Sequence, residues 1–123
     1  MSASALASDP RLRHLFDPRG VIVVGASRHP AKFGFAALHN VLAHGFAGRV
    51  FATNRDGEEI LGLATATDVG DLPSGEADLA IVCTPQAANA DVLRACAAKG
   101  VKAAYVVSGG VPTAVDALVE LDG

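Results

Sequence analysis

The sequence predicts an α/β sandwich built on a parallel sheet, and three observations predict it. Short apolar, mostly β-branched runs recur along the chain, at 21–24 ("VIVV"), 49–53 ("RVFAT"), 79–83 ("LAIVC") and 102–107 ("KAAYVV"). Stretches with helical spacing or Ala-rich composition fill the gaps between them. The connections are short and carry glycine, proline or small polar residues. Strands that alternate with helices across short connections read as parallel strands joined by right-handed crossovers, with helices on both faces.

Each element follows from its own residues. Residues 1–8, "MSASALAS", are small, polar and without period, as in a flexible tail. Asp9 is an N-cap with Pro10 at the first helical position, opening a short helix through Phe16, and "DPRG" at 17–20 turns the chain. Val21 to Val24 is too short for a helix and bounded by glycine on both sides, which suits a strand buried on both faces. Phe35, Leu38, Val41 and Leu42 recur at helical spacing until Gly45 stops them. After the strand at 49–53 the chain is less regular, with "GLATAT" read as a further short strand and "DVGDLP" as a helical turn. The strand at 79–83, an Ala-rich helix from about Gln86 to Lys99 stopped by Gly100, and the strand at 102–107 complete the alternation, and a last helix is expected from about Pro112. The expectation is a Rossmann-like three-layer sandwich with a parallel sheet of about five strands.

Composition bounds the function. A chain of 123 residues that is 50% hydrophobic encloses one core, so residues 9–123 are read as one domain. The net charge is only −3 and the ten Lys and Arg are scattered, which leaves no footprint for nucleic acid or an anionic membrane. Cys83 and Cys96 lie in apolar stretches with neither C-x-x-C spacing nor neighbouring histidines, and read as reduced core thiols of a cytoplasmic protein. The N-terminus has no basic segment followed by an apolar one, and no apolar run approaches the ~20 residues of a membrane span.

In an open parallel sheet, ligands bind outside the carboxyl ends of the strands, where strand order reverses. Those ends read Gly25-Ala26-Ser27, Asn54-Arg55, Thr84-Pro85-Gln86 and Ser108-Gly109-Gly110. Each is small, hydroxyl-bearing or glycine-bearing, so main-chain N–H groups can approach a ligand closely. Lys32, Phe33 and Gly34 follow the first end and join the candidate set. Singly, these residues are what any tight turn uses; as a set they describe a site. No Ser/His/Asp ordering, paired carboxylates or metal-ligand spacing accompanies them, so no catalytic residue and no metal ligand is assigned.

Charge narrows the ligand. A domain holding NAD places Asp or Glu at the end of its second strand to accept from the ribose hydroxyls. Here that end reads Thr53-Asn54-Arg55, and a cation suits a phosphorylated ribose. NADP and coenzyme A both carry one. NADP favours the closely spaced glycines of the dinucleotide fingerprint, whereas "GASRHPAKFG" runs nine residues from Gly25 to Gly34, long enough to wrap a diphosphate and a pantetheine arm. Coenzyme A leads on these residues, with an NADP-binding Rossmann domain as the alternative.

The segment "LFDPRGVIVVGASRHPAKFGFAALHNVLAHGFAGRVFATN", followed by "EEILGL", "DLAIVCTP" and "GVKAAYVVSGG", resembles the CoA-binding domain of ADP-forming acyl-CoA synthetases, itself similar to the N-terminal domain of the succinyl-CoA synthetase alpha subunit. The likeness runs from about Leu12 to Gly110. It implies that Gly25 to Ser27, Lys32, Asn54, Arg55, Thr84, Pro85 and the 108–110 turn line a site for CoA or acyl-CoA. It departs at one position: the family has proline directly after the asparagine, where this chain has Arg55. The resemblance implies a larger machine that makes acyl-CoA, ADP and phosphate from an acid, CoA and ATP, with partner ATP-grasp and phosphohistidine domains in the parent protein. By itself this domain is then non-catalytic. The resemblance also admits a second role, a stand-alone or acetyltransferase-linked sensor of CoA or acyl-CoA.

Overall fold

Strand β1 (Gly20–Val24) is buried along its whole length, as a β-branched strand between two neighbours and two helical layers should be. The computed structural model to which it belongs describes residues 18–43, 46–107 and 118–120. β1 pairs in parallel with β2 (Arg49–Ala52) on one side and β3 (Leu79–Val82) on the other, and β3 pairs in parallel with β4 (Ala103–Val106). A short β5 (Leu118–Glu120) runs antiparallel to β4, giving the sheet order β2-β1-β3-β4-β5. The chain therefore leaves β1 in one direction to reach β2 and passes β1 in the other to reach β3.

The alternation of side chains along β1 sorts the core into two layers. Val21 and Val23 join Leu38 of helix α1 (Phe33–Ala43), Ala52 and Ile60 on one face of the sheet. Ile22 and Val24 join Cys96 of helix α2 (Asn89–Ala98), Val69 and Val82 on the other. Three layers result, with α1 and α2 on opposite faces. Roughly 1.5–3 kcal/mol accompanies the burial of each large aliphatic side chain, so the fully enclosed Ile22, Leu38, Val23 and Val82 anchor both layers.

The expected strands at 21–24, 49–53, 79–83 and 102–107 and the expected helix after β1 appear within a residue or two of their limits, and the helix expected from about Gln86 starts at Asn89, behind a 3₁₀ turn at Gln86–Ala88. "DVGDLP" forms a 3₁₀ turn at Val69–Asp71, capped by the Asp68 carboxylate, which accepts from the Gly70 N–H at 2.8 Å. Two expectations are corrected. "GLATAT" is not a strand: it contributes only isolated bridges, Thr53 with Ala66 and Ile60 with Leu63, because Leu61 and Gly62, at φ +53° and +83°, make a tight turn closed by the hydrogen bonds between Ile60 and Leu63. The fifth strand comes instead from residues 118–120, inside the stretch read as a last helix, where the open edge of β4 offers main-chain partners that local periodicity does not reveal. The tail at 1–8 and the helix at 9–16 lie outside the described residues.

Candidate functional site

β1 and β3 are the pair at which strand order reverses, and a cleft of about 950 Å³ opens at their carboxyl ends. Its floor is the ends of the strands themselves: Val24 closing β1 and Gly25 after it, Thr53 after β2, Cys83 and Thr84 after β3, and Val107 after β4.

Gly25 begins the first loop with φ +82°, a left-handed conformation that side chains resist. A Cβ here would also meet the Thr84 side chain at 3.0 Å and the main chain of Cys83 at 3.1 Å. The loop is tied to the end of β2, since the Gly25 N–H donates to the Thr53 hydroxyl at 3.1 Å and the Ala26 N–H to the Thr53 carbonyl at 2.8 Å. Within the loop the Ser27 hydroxyl accepts the His29 N–H at 3.1 Å. Gly34, in the first turn of α1, packs against the carbonyl of Gly25, and a Cβ on it would lie 2.1 Å from that oxygen. Although the two glycines lie nine positions apart in sequence, Gly34 does the work of the last glycine in a short nucleotide-binding loop, letting the helix start directly on the strand end.

The two sides of the cleft differ in charge. On one side stand Lys32, Phe33 and the start of α1, which has no acidic residue in its first turn, with Arg55 contributed by the turn after β2. Lys32 and Arg55 are exposed and pair with no carboxylate among the described residues. The nearby Arg28 is engaged, its guanidinium 2.9 Å from Glu58. On the other side stand Val69, Val92 and Ala95, with the carboxylates of Asp68 and Asp91. Asp91 lies in the first turn of α2 and pairs with Arg94, so this helix start carries its own negative charge whereas that of α1 does not. Phe33 is 53% exposed at the cleft, an aromatic face that a ligand can cover.

Of the residues assigned from sequence, Gly25, Ala26, Ser27, Lys32, Phe33, Gly34, Asn54, Arg55, Thr84 and Pro85 line this one cleft. Gln86 opens the 3₁₀ turn before α2, and Ser108, Gly109 and Gly110 lie outside the described residues. Sequence reasoning missed the wall formed by Asp68, Val69, Val92 and Ala95, since that reasoning looked only at strand ends and these come from a turn and a helix. It also read Cys83 only as a core thiol; Cys83 lines the cleft, half-buried, with burial raising its pKa from 9.0 to about 11.

The sequence profile of the CoA binding domain family matches residues 19–122. The chain belongs to that family. It is 40% identical over 101 residues to an ADP-forming acetate–CoA ligase II of Archaeoglobus fulgidus, a match covering 82% of this chain and 15% of the ligase. It is 35% identical over 99 residues to the alpha subunit of an ADP-forming acetate–CoA ligase II of Pyrococcus furiosus, covering 80% of this chain and 21% of the subunit. Among solved structures, a dinucleotide-forming acetyl-coenzyme A synthetase 1 of Ca. Korarchaeum cryptofilum, in complex with phosphate and ADP, superposes with a TM-score of 0.73 at 37% identity, over 81% of this chain and 21% of that one. A conserved hypothetical protein of Pyrococcus furiosus matches with a TM-score of 0.63 at 29% identity, over 72% of this chain and 74% of its own. This CoA-binding domain thus spans about a fifth or less of the ligases it matches, and most of the small hypothetical protein. No helix among its described residues is long and apolar enough to cross a membrane.

Proposed function

We propose that the chain binds coenzyme A or acyl-CoA in the cleft at the β1/β3 ends, as the CoA-binding module of an ADP-forming acyl-CoA synthetase. The observation that carries the reading is the division of the cleft into a cationic side, where Lys32 and Arg55 have no carboxylate partner among the described residues, and a side on which Val69, Val92 and Ala95 form an apolar wall, with the Asp68 and Asp91 carboxylates on the same side. CoA has the matching halves. Its diphosphate suits the bare N-terminus of α1, where main-chain N–H groups and the helix dipole favour an anion, with Lys32 alongside. Its 3′-phosphate suits Arg55, and its purine suits the wall of Val69, Val92 and Ala95. Gly25 to Ser27, Phe33, Gly34, Thr84 and Pro85 frame the remainder.

In the parent assembly, partner ATP-grasp and phosphohistidine domains supply the phosphoryl chemistry that turns an acid, CoA and ATP into acyl-CoA, ADP and phosphate. This domain supplies the thiol substrate and no catalytic group. A second reading, a stand-alone sensor of CoA or acyl-CoA, is favoured by one observation: the matched hypothetical protein of Pyrococcus furiosus consists mostly of this domain. An NADP-binding role is the third.

Parallel calorimetric titrations with CoA, dephospho-CoA, ADP and NADP test the assignment. CoA is expected to bind more tightly than dephospho-CoA and to raise the melting temperature by mass action. Tighter binding of NADP, with no response to millimolar CoA, overturns it.

A further inference from the structure

The sequence places Asn54 among the ligand contacts, yet both polar atoms of its side chain are engaged inside the protein. Its Nδ2 donates to the Ala26 carbonyl at 2.9 Å. Its Oδ1 accepts the N–H of Asp56 at 2.9 Å and that of Glu58 at 3.3 Å. The main chain reinforces the same junction, the Gly57 N–H donating to the Asn54 carbonyl at 3.0 Å and the Asn54 N–H to the Ala66 carbonyl at 2.9 Å. The Arg28–Glu58 ion pair joins the same two loops a second time.

We infer that Asn54 is a positioning residue, a clasp that holds the first loop and the Arg55 turn in one fixed relation, so that the start of α1 and the Arg55 guanidinium meet a single polyanionic ligand together. The side chain suits the task. A planar amide offers a donor on one arm and an acceptor on the other, and here the donor faces a carbonyl of one loop while the acceptor gathers two N–H groups of the other. Aspartate keeps the acceptor but turns a negative oxygen on the Ala26 carbonyl. Arg55 directly follows the clasp, inside the turn that Oδ1 organises, so its position depends on Asn54 without any contact between their side chains being required. The ligand part of the test rests on the CoA reading; the loop part does not.

The experiment uses the full chain as wild type, Asn54→Ala, Asn54→Asp, Arg55→Ala and the double Asn54→Ala/Arg55→Ala variant. The first readout is the ratio of the Kd for dephospho-CoA to that for CoA, which reports the 3′-phosphate contact and is expected to be about tenfold or more in the wild type. In Asn54→Ala the ratio falls towards one although Arg55 is present, and adding Arg55→Ala lowers it no further. A residue that only stabilises the fold lowers the melting temperature and leaves the ratio alone. The second readout is amide hydrogen exchange without ligand: Asn54→Ala speeds exchange at Gly25, Ala26, Asp56 and Glu58, whereas Asn54→Asp does so only at Gly25 and Ala26. A wild-type ratio in Asn54→Ala, or unchanged exchange at these amides in both variants, overturns the inference. A wild type that binds neither ligand overturns the CoA reading instead, and the exchange measurement alone then decides the clasp.

Discussion

The two ends of the parallel sheet are built on opposite plans. At the amino end, the buried Asp78 carboxylate accepts the N–H groups of Arg19 at 2.9 Å and Gly20 at 3.2 Å, and lies 3.9 Å from the Arg19 guanidinium. The main chain of Asp78 completes the closure, its N–H donating to the Gly20 carbonyl at 3.1 Å and its carbonyl accepting from Lys102 at 2.9 Å and Ala103 at 3.1 Å. One residue thus stitches the starts of β1, β3 and β4. At the carboxyl end, by contrast, Lys32 and Arg55 stand exposed without carboxylate partners among the described residues, Phe33 is half uncovered, and α1 begins without an acidic residue. The difference teaches where each kind of free energy resides: the amino end is satisfied within the chain and holds the strands in register, while the carboxyl end keeps charge and apolar surface uncommitted for a ligand.

The largest effect belongs to the closed end. Asp78→Ala leaves two main-chain N–H groups without their acceptor and is expected to destabilise the domain by about 3 kcal/mol, lowering the melting temperature by roughly 10 °C. Calorimetry on the folded variant at low temperature should find CoA affinity unchanged. A large loss of affinity with little loss of stability breaks the contrast.

At the open end the pattern inverts. Arg55→Ala is expected to cost roughly 1.5–3 kcal/mol in CoA binding, about 10- to 150-fold, with little effect on dephospho-CoA and none on melting temperature. Lys32→Ala, beside the start of α1, should weaken both ligands alike. Equal small losses for Arg55→Ala on the two ligands would show that Arg55 does not reach the 3′-phosphate.

Gly25 sits where the two plans meet, because its loop is at once hydrogen-bonded scaffold and cleft floor. Gly25→Ala puts a Cβ into a left-handed residue 3.0 Å from Thr84, and a cost of about 1–2 kcal/mol in stability is expected together with weaker CoA binding. Denaturant melts and titrations on the same variant measure both; loss of only one assigns the loop wholly to scaffold or to site.

At neutral pH the smallest effect concerns the thiols. Burial raises Cys83 and Cys96 from 9.0 to about 11, which lowers the thiolate fraction at pH 8 by about 100-fold, and the greater nucleophilicity of a more basic thiolate restores roughly a factor of ten. Reaction of Cys83 with an aromatic disulfide is expected to run about tenfold slower than that of free cysteine and slower still with CoA bound, while Cys96, enclosed in the core, should react only when the fold opens. The sign for stability is that of a neutral group favoured by folding: the contribution is whole below pH 9, where neither state ionises its thiols, and is lost as pH rises towards 11. Melting temperatures that hold steady between pH 9 and 11 would contradict it.

Most of the sheet and much of the cleft were legible in the chain because they follow from local rules. A β-branched run between glycines, as at 21–24, has few alternatives to a buried strand, and in a parallel sheet the residues after each strand must gather at one end. That logic placed Gly25, Asn54, Arg55 and Thr84 around a common space although up to 59 positions separate them. The sequence by itself thus determined the alternation, the strand ends and the cationic residues offered there. Only the tertiary structure decided the antiparallel pairing of 118–120 on β4, the contact of Gly34 with the Gly25 carbonyl, the apolar wall of Val69, Val92 and Ala95, and the capture of the Asn54 amide by Ala26, Asp56 and Glu58. The physical reason is range. Periodicity and turn chemistry act over a few residues, whereas an open strand edge or a carbonyl 28 positions away becomes a partner only after the sheet has brought it within hydrogen-bond distance.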